Sequence, residues 1–175
     1  MSFQAINIFN TFLAILSLVA LAASVGLIIY RVVKGKDAAN LGVAGLWMAW
    51  TVATVATVGS LIFSEVIGYI PCRLCWFQRI AMYPMSVILL VGAWRKELAA
   101  KFYALPLALV GLGISIRHYL VQNFPNLDGG SCDLAAPCTV KEFEIFGFIT
   151  IPFMAGAGFT LIAVLLALYV KAPKK

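Results

Sequence analysis

Charge is scarce in this sequence. Lysine, arginine, aspartate and glutamate make up 11% of 175 residues, where a water-soluble domain carries about a quarter. Acidic residues number seven and histidine one. That shortage excludes a soluble globular domain and a disordered chain, since both need a polar surface. It also excludes a nucleic-acid binder despite the formal net charge of +6, because a basic groove needs polar surroundings. Internal repeats and low-complexity segments are absent. What abounds is apolar: 63% of the residues, with a mean hydropathy of +0.99. The composition therefore points to a polytopic helical protein of the lipid bilayer, in which the few polar residues stand out.

Five runs are long and apolar enough to cross a bilayer, which takes roughly 20 residues as a helix. They are Phe12–Tyr30, Leu41–Phe63, Trp76–Trp94, Phe102–Leu120 and Phe146–Val170. None alternates as a barrel strand would, so the expected fold is an all-α bundle. Orientation follows the cations. Arg31, Lys34, Lys36, Arg95, Lys96, Lys101, Lys171, Lys174 and Lys175 gather on one side against Asp37 and Glu97. The other side has Arg73, Arg79, Arg117 and Lys141 against Glu65, Asp128, Asp133, Glu142 and Glu144. The basic excess thus reads as topology, with the N-terminus outside and the C-terminus cytoplasmic. Ala20-Leu21-Ala22 would suit a signal-peptide cleavage site, but Met1–Asn10 holds no lysine or arginine, and the apolar run continues to Tyr30. The first run is therefore expected to stay as a span.

The four cysteines fall on the outer side. Cys72 and Cys75 form a C-x-x-C at the start of the third span; Cys132 and Cys138 lie in the loop before the fifth. Paired thiols outside the cytoplasm mean disulfides. A C-x-x-C closes too small a loop to restrain an unfolded chain much, and its spacing better suits a redox pair. Two structural staples, or a zinc site built from both pairs, are the competing readings; zinc is disfavoured by the five residues inside the second pair.

The neighbourhood sharpens the redox reading. Pro71 fixes the approach to Cys72, and the helix is expected to begin near Cys75, where a thiolate gains from unpaired N–H groups and the helix dipole. Arg79 lies one turn deeper on the face of Cys75; it either stabilises that thiolate and a neighbouring anion or snorkels to the head groups. Arg117 and His118 reach the same rim from the fourth span. Trp76, Phe77, Tyr69, Tyr83 and Tyr119 are candidate cleft walls, though aromatic belts occur at most membrane interfaces. Gln78 is a candidate donor to a carbonyl. Asn126–Gly130 and Ala135–Pro137 are turn-forming, so the loop disulfide is expected to be exposed and readily exchanged. The mixed charged and apolar run Lys141–Phe146 suits the membrane surface. Small residues such as Ser60 and Gly111 suit helix packing, and Pro84 is a tolerated or bending membrane proline.

Two exchangeable pairs on one face can pass electrons between them, but no cysteine in the inner half carries them onward. The acceptor must therefore reach the outer leaflet from within the bilayer. A quinone does so, and a nearby cation such as Arg79 would stabilise its reduced oxygens.

The run PCRLCWFQRIAMYP resembles the C-x-L-C-W-x-Q-R segment of the DsbB/BdbC disulfide-bond formation family. ISIRHYL and FGFITIPF resemble the segments flanking that family's second cysteine pair. The similarity runs from about Gly59 to the end of the fifth span. It implies a membrane thiol:quinone oxidoreductase that reoxidises a DsbA-like, thioredoxin-fold partner, with ubiquinone or menaquinone as cofactor and no metal. Cys75 would be the cysteine that reacts with quinone and Cys72 its partner. Cys132 would form the mixed disulfide with the partner protein, and Cys138 would pass electrons inward. Arg79 takes the quinone-site arginine position and His118 matches a histidine nearby; Trp76 and Gln78 complete the expected cofactor contacts. The expected location is the bacterial cytoplasmic membrane.

Two features depart from the family pattern. Residues 1–40 form an extra N-terminal helix and cytoplasmic loop before a four-helix core at 41–175, and the loop pair is separated by only five residues, as in Gram-positive-type members. Other readings are a vitamin K epoxide reductase-like enzyme, whose loop cysteines usually precede the C-x-x-C, an outward thiol carrier, and a non-catalytic membrane protein with structural disulfides.

Overall fold

The computed structural model describes residues 2–35, 38–130, 132 and 136–171. Of the residues read above, Lys36, Asp37, Asp133, Ala135, Lys174 and Lys175 lie outside these. Hydrocarbon offers no hydrogen bonds, so a spanning backbone must satisfy its own groups, and an apolar chain does this as helices. Five result: α1 (Phe3–Lys34), α2 (Gly42–Leu61, continued as a π-helix to Ile67), α3 (Arg73–Trp94), α4 (Lys101–Asn123) and α5 (Ile151–Val164, continued as a π-helix to Tyr169). All five are long and apolar enough to span a bilayer. This is the all-α polytopic bundle expected; among the described residues the β pairing is a single bridge, Ile145 with Ile149.

Helix ends differ from the apolar runs in instructive ways. Ser2 caps α1 by accepting the Ala5 N–H, and Arg31 and Lys34 in its last turn oppose the carbonyl end of the dipole. The helix thus begins well before Phe12. The last span starts at Ile151 rather than Phe146. Phe146 and Gly147 both have positive φ (53° and 77°), and Ile145 and Ile149 exchange both backbone hydrogen bonds, closing a tight turn. Hydropathy could not register that turn because its side chains are apolar. Pro152 then sits in the first turn of α5, where a missing N–H costs nothing. Pro84 and Pro106 lie inside α3 and α4, which continue through them.

The core is the seam between α2, α3, α4 and α5: Leu46, Met85, Leu89, Phe159 and Ile162 are buried there among alanines. Small residues allow close approach in the absence of a hydrophobic driving force. At Gly111 of α4, a Cβ would stand 2.3 Å from the Phe159 ring of α5. The first helix stays outside this seam and packs along α5, burying the stripe Asn10, Ala14, Ser17 and Ser24. At one end of the bundle, Leu41 N–H donates to the Tyr169 carbonyl and Lys101 Nζ to that of Val170. The four cysteines lie at the opposite end.

Replacing Gly111 with alanine is expected to cost about 1–3 kcal/mol of stability by overpacking against Phe159. Gly113→Ala, two residues along and with nothing within 4 Å of the added carbon, should stay within about 0.5 kcal/mol of wild type. Thermal melting of helical circular dichroism in detergent checks the pair, and equal losses would defeat the packing account.

Candidate functional site

The approach to α3 decides which sulfur is the helix cap. Cys72 follows Pro71 in extended conformation (φ −69°, ψ 171°), and α3 begins at Arg73. The Cys72 side chain therefore occupies the N-cap position, where its Sγ accepts the Cys75 N–H at 3.4 Å. The helix thus starts two residues before Cys75, near which it was expected to begin, and its cap falls on Cys72. The physical reason is that the proline-constrained segment already turns at Cys72, and a sulfur serves there as a serine or aspartate oxygen would.

The two thiols stand 3.0 Å apart, and His118 Nε2 of α4 lies 3.5 Å from Cys72 Sγ. His118 is fully buried, and its Nδ1 has no partner among the described residues. The Cys75 thiol donates to the Cys72 sulfur, and His118 acts in the same sense; against the opposing effect of burial they lower the Cys72 pKa from 9.0 to about 4. Cys72, Cys75 and His118 also present three ligand atoms within 4.8 Å of one another, so a thiophilic cation could bind the reduced pair.

The loop pair is joined as a disulfide, Cys132–Cys138. Its position differs from the exposed staple expected. Cys138 is 1% exposed and packs with Cys72, Leu74 and Val121, with Cys75 and Cys132 at the edge of that same cluster. Gln122 Nε2 of α4 donates to the Val140 carbonyl, and Lys141 Nζ to Asn123 Oδ1, fastening the loop over the C-x-x-C. Cys132 is the half-buried member. Loop composition reported turn-forming residues but not this docking. The run around Lys141 likewise folds back as loop, placing Phe143 against Phe63 and Tyr69.

Beside the dithiol a cavity of about 380 Å³ opens among residues of all five helices. Cys72, Cys75, Gln78, Arg79 and His118 all line it; Trp76 does not. Trp76 is instead 53% exposed and carries the Arg79 guanidinium 5.4 Å above its ring. Arg79 does not snorkel outward: its Nε donates to Ser60 Oγ and its Nη2 to the Ser60 carbonyl, each at 3.0 Å. Tyr83 OH, 3.3 Å away, bonds the same Ser60 hydroxyl. Gln78 is buried with its Nε2 donating to Ser115 Oγ of α4 at 2.9 Å, so that donor is occupied. Tyr69 and Tyr83 reach the cavity, while Tyr119 OH donates to the Phe148 carbonyl. Arg117 points elsewhere, with Nη2 on the Leu127 carbonyl.

Sequence reasoning missed three participants. Ser60, read as a packing residue, anchors Arg79. Its carbonyl accepts two side-chain donors, Arg79 Nη2 and Ser64 Oγ, just where α2 loosens into π-helix at Ile62, a feature found often at functional sites. Ser115 holds Gln78. Glu142 lines the cavity mouth, where burial and then the charge of the Cys72 sulfur raise its carboxyl pKa. A serine–arginine pair nineteen residues apart leaves no periodic signal. The glutamate sits in a run with other charges.

A thiol with a lowered native pKa stabilises the folded, reduced protein fully above pH 9 and loses that contribution as pH falls through about 4. In a reduced variant carrying Cys132→Ser and Cys138→Ser, thiolate ultraviolet absorbance should therefore persist at neutral pH and vanish near pH 4. His118→Ala should move the midpoint upward. A thiol still protonated at neutral pH would contradict this reading.

Comparison with known proteins gives the family. Residues 42–169 match the family model described as disulfide bond formation protein DsbB. Disulfide bond formation protein C of Bacillus subtilis (strain 168) is 45% identical over 124 residues, covering 70% of this chain and 90% of the relative. A probable disulfide formation protein of Oceanobacillus iheyensis is 44% identical over 132 residues, 74% of this chain and 88% of the relative. Probable disulfide formation protein C 2 of Bacillus anthracis is 42% identical over 128 residues, 73% and 90% respectively. No solved structure matches the chain. With the matched region running from the start of α2 to the end of α5 and holding all four cysteines, the chain belongs to the DsbB family, as a multi-pass membrane protein of disulfide-bond formation.

Proposed function

We propose that the protein oxidises the dithiol of a DsbA-like, thioredoxin-fold partner outside the cytoplasm and delivers the electron pair to a membrane quinone, ubiquinone or menaquinone. The observation that carries this reading is the packing of both cysteine pairs into one cluster beside a lipid-embedded cavity. The N-terminus and the cysteines lie outside the bacterial cytoplasmic membrane and the C-terminus within. The support for this is the cation excess at the end of the bundle away from the cysteines.

A partner thiolate attacks Cys132, the more accessible loop sulfur, and Cys138 leaves. The second partner thiol resolves the mixed disulfide, so the partner gains a disulfide and the loop becomes a dithiol. Cys138, already against Cys72, then passes the pair inward: the loop disulfide re-forms and the Cys72–Cys75 disulfide is reduced. A low thiol pKa at Cys72 favours the reduced form, which makes this disulfide the better oxidant of the two. Quinone supplies the two-electron, two-proton sink when bound in the cavity.

The residues around Cys75 suit that acceptor. Arg79, held by Ser60, presents a fixed cation to oxygens that gain charge on reduction. His118 contributes a ring nitrogen, Nδ1, that has no partner among the described residues. Cys75 borders the cavity and is the more exposed thiol of its pair, so it is the sulfur that meets the acceptor.

Purified protein mixed with a reduced thioredoxin-fold protein and quinone should form quinol. Cys75→Ser and Cys132→Ser should each abolish turnover. Arg79→Ala should lower kcat/KM by about 10²-fold, the scale for losing one preorganised charge partner. Normal quinol formation by Cys75→Ser would overturn the assignment of that sulfur.

A further inference from the structure

The first helix lies wholly outside the residues that match the family model, yet it builds one wall of the cavity. Leu13, Leu16, Ser17, Val19, Ala20 and Ala23 line it from α1. Across from them stand Val52, Val55 and Ala56 of α2 and Gly158 and Leu161 of α5. From Leu13 to Ala23 the helix rises roughly 15 Å, so the cavity continues well below the polar end formed by Cys75, Arg79 and His118.

This deeper part is dry in character. Its hydroxyls are turned back to their own helices: Ser17 Oγ donates to the Ala14 carbonyl at 2.7 Å and Thr51 Oγ1 to that of Trp47 at 3.0 Å. Polar groups are thereby confined to one end and aliphatic surface to the other.

The helix is held at both ends of this stretch. Towards the cysteines, Asn10 Nδ2 lies 3.5 Å from Tyr69 OH, and the Phe9 and Phe63 rings meet edge to face at 5.6 Å. Leu13 fills the notch at Gly59, where an added carbon would come 3.2 Å from its Cδ1. Towards the other end, Tyr169 OH donates to the Leu27 carbonyl. Between these ties the small side chains Ala20 and Ala23 leave the space open. Removing α1 would leave the groove between α2 and α5 facing lipid; with α1 in place it is a walled channel.

We propose that α1 is a positioning wall for the isoprenoid chain of the quinone, making this protein selective for chain-bearing over ring-only acceptors. The inference rests on the acceptor assignment above. The occupant follows from continuity: a ligand with polar ring oxygens at Arg79 and a single linear apolar chain fits a cavity that is polar at one end and aliphatic along the rest. Binding to a preformed channel also spares the chain the ordering cost it would meet in an open groove.

The test uses the full chain in lipid nanodiscs, with a long-chain ubiquinone and a ring-only benzoquinone as acceptors. Ala20→Phe and Ala23→Phe fill the channel; Ala22→Phe, which does not line it, is the control for an added aromatic ring on α1. For both channel variants KM for the long-chain quinone should rise about tenfold, equivalent to about 1.4 kcal/mol of lost chain binding. Their kcat, their KM for the ring-only quinone and their thermal melting should stay at wild-type values, as should every property of Ala22→Phe. Equal effects on both acceptors, or no effect on either, would overturn the inference while leaving quinone reduction standing. The same holds if a phospholipid chain fills the channel, because KM would then not depend on the acceptor's chain. Failure of the wild-type protein to reduce either quinone would instead remove the acceptor assignment, and the role of α1 with it.

Discussion

A polar side chain inside a bilayer must find its partner in the protein, and that constraint organises this molecule. Arginine at the depth of Arg79 is tolerable because two of its three nitrogens are met by Ser60, through its hydroxyl and its carbonyl. Gln78 and Ser115 answer each other across α3 and α4 in the same way. Individually such bonds in membranes contribute little, on the order of 0.6 kcal/mol. Their larger effect is geometric: they hold three helices in register at one end, and the dithiol sits at the point where those helices meet.

The first turn of α3 converts that register into chemistry. A helix needs its leading N–H groups satisfied, and here a cysteine sulfur does it. The hydrogen bond with the Cys75 thiol, then His118 and least of all the cap bond, favour negative charge on Cys72 against the effect of burial. The capping sulfur is the one buried against Cys138, and both thiols border the cavity. The helix cap and the lowered thiol pKa fall on one residue.

The loop disulfide and the first helix close the site from two directions. From above, the segment around Cys138 and Val140 is tied to α4 by Gln122, so the second sulfur pair rests on the first. From the side, α1 lies along α5 through small buried residues and leaves a gap opposite α2. The buried residues of the central seam around Phe159 come from α2 to α5, with Leu27 of α1 packed against its edge.

Much of this was legible in the residues alone. Apolar run length determined five helices, and the C-x-x-C spacing marked the two thiols that stand 3.0 Å apart. The PCRLCWFQR run identified the family because short-range patterns survive in linear order. Hydropathy misjudged where α1 and α5 begin, since a serine cap and a turn made of apolar residues leave no mark in it. The structure alone decided that Cys72 rather than Cys75 caps α3, that Ser60 anchors Arg79, that Trp76 stays outside the cavity, and that α1 walls it. The Cys72 cap is local, set by the constrained segment at Pro71; the others depend on contacts between residues far apart in the chain, whose distances are set by how the helices pack.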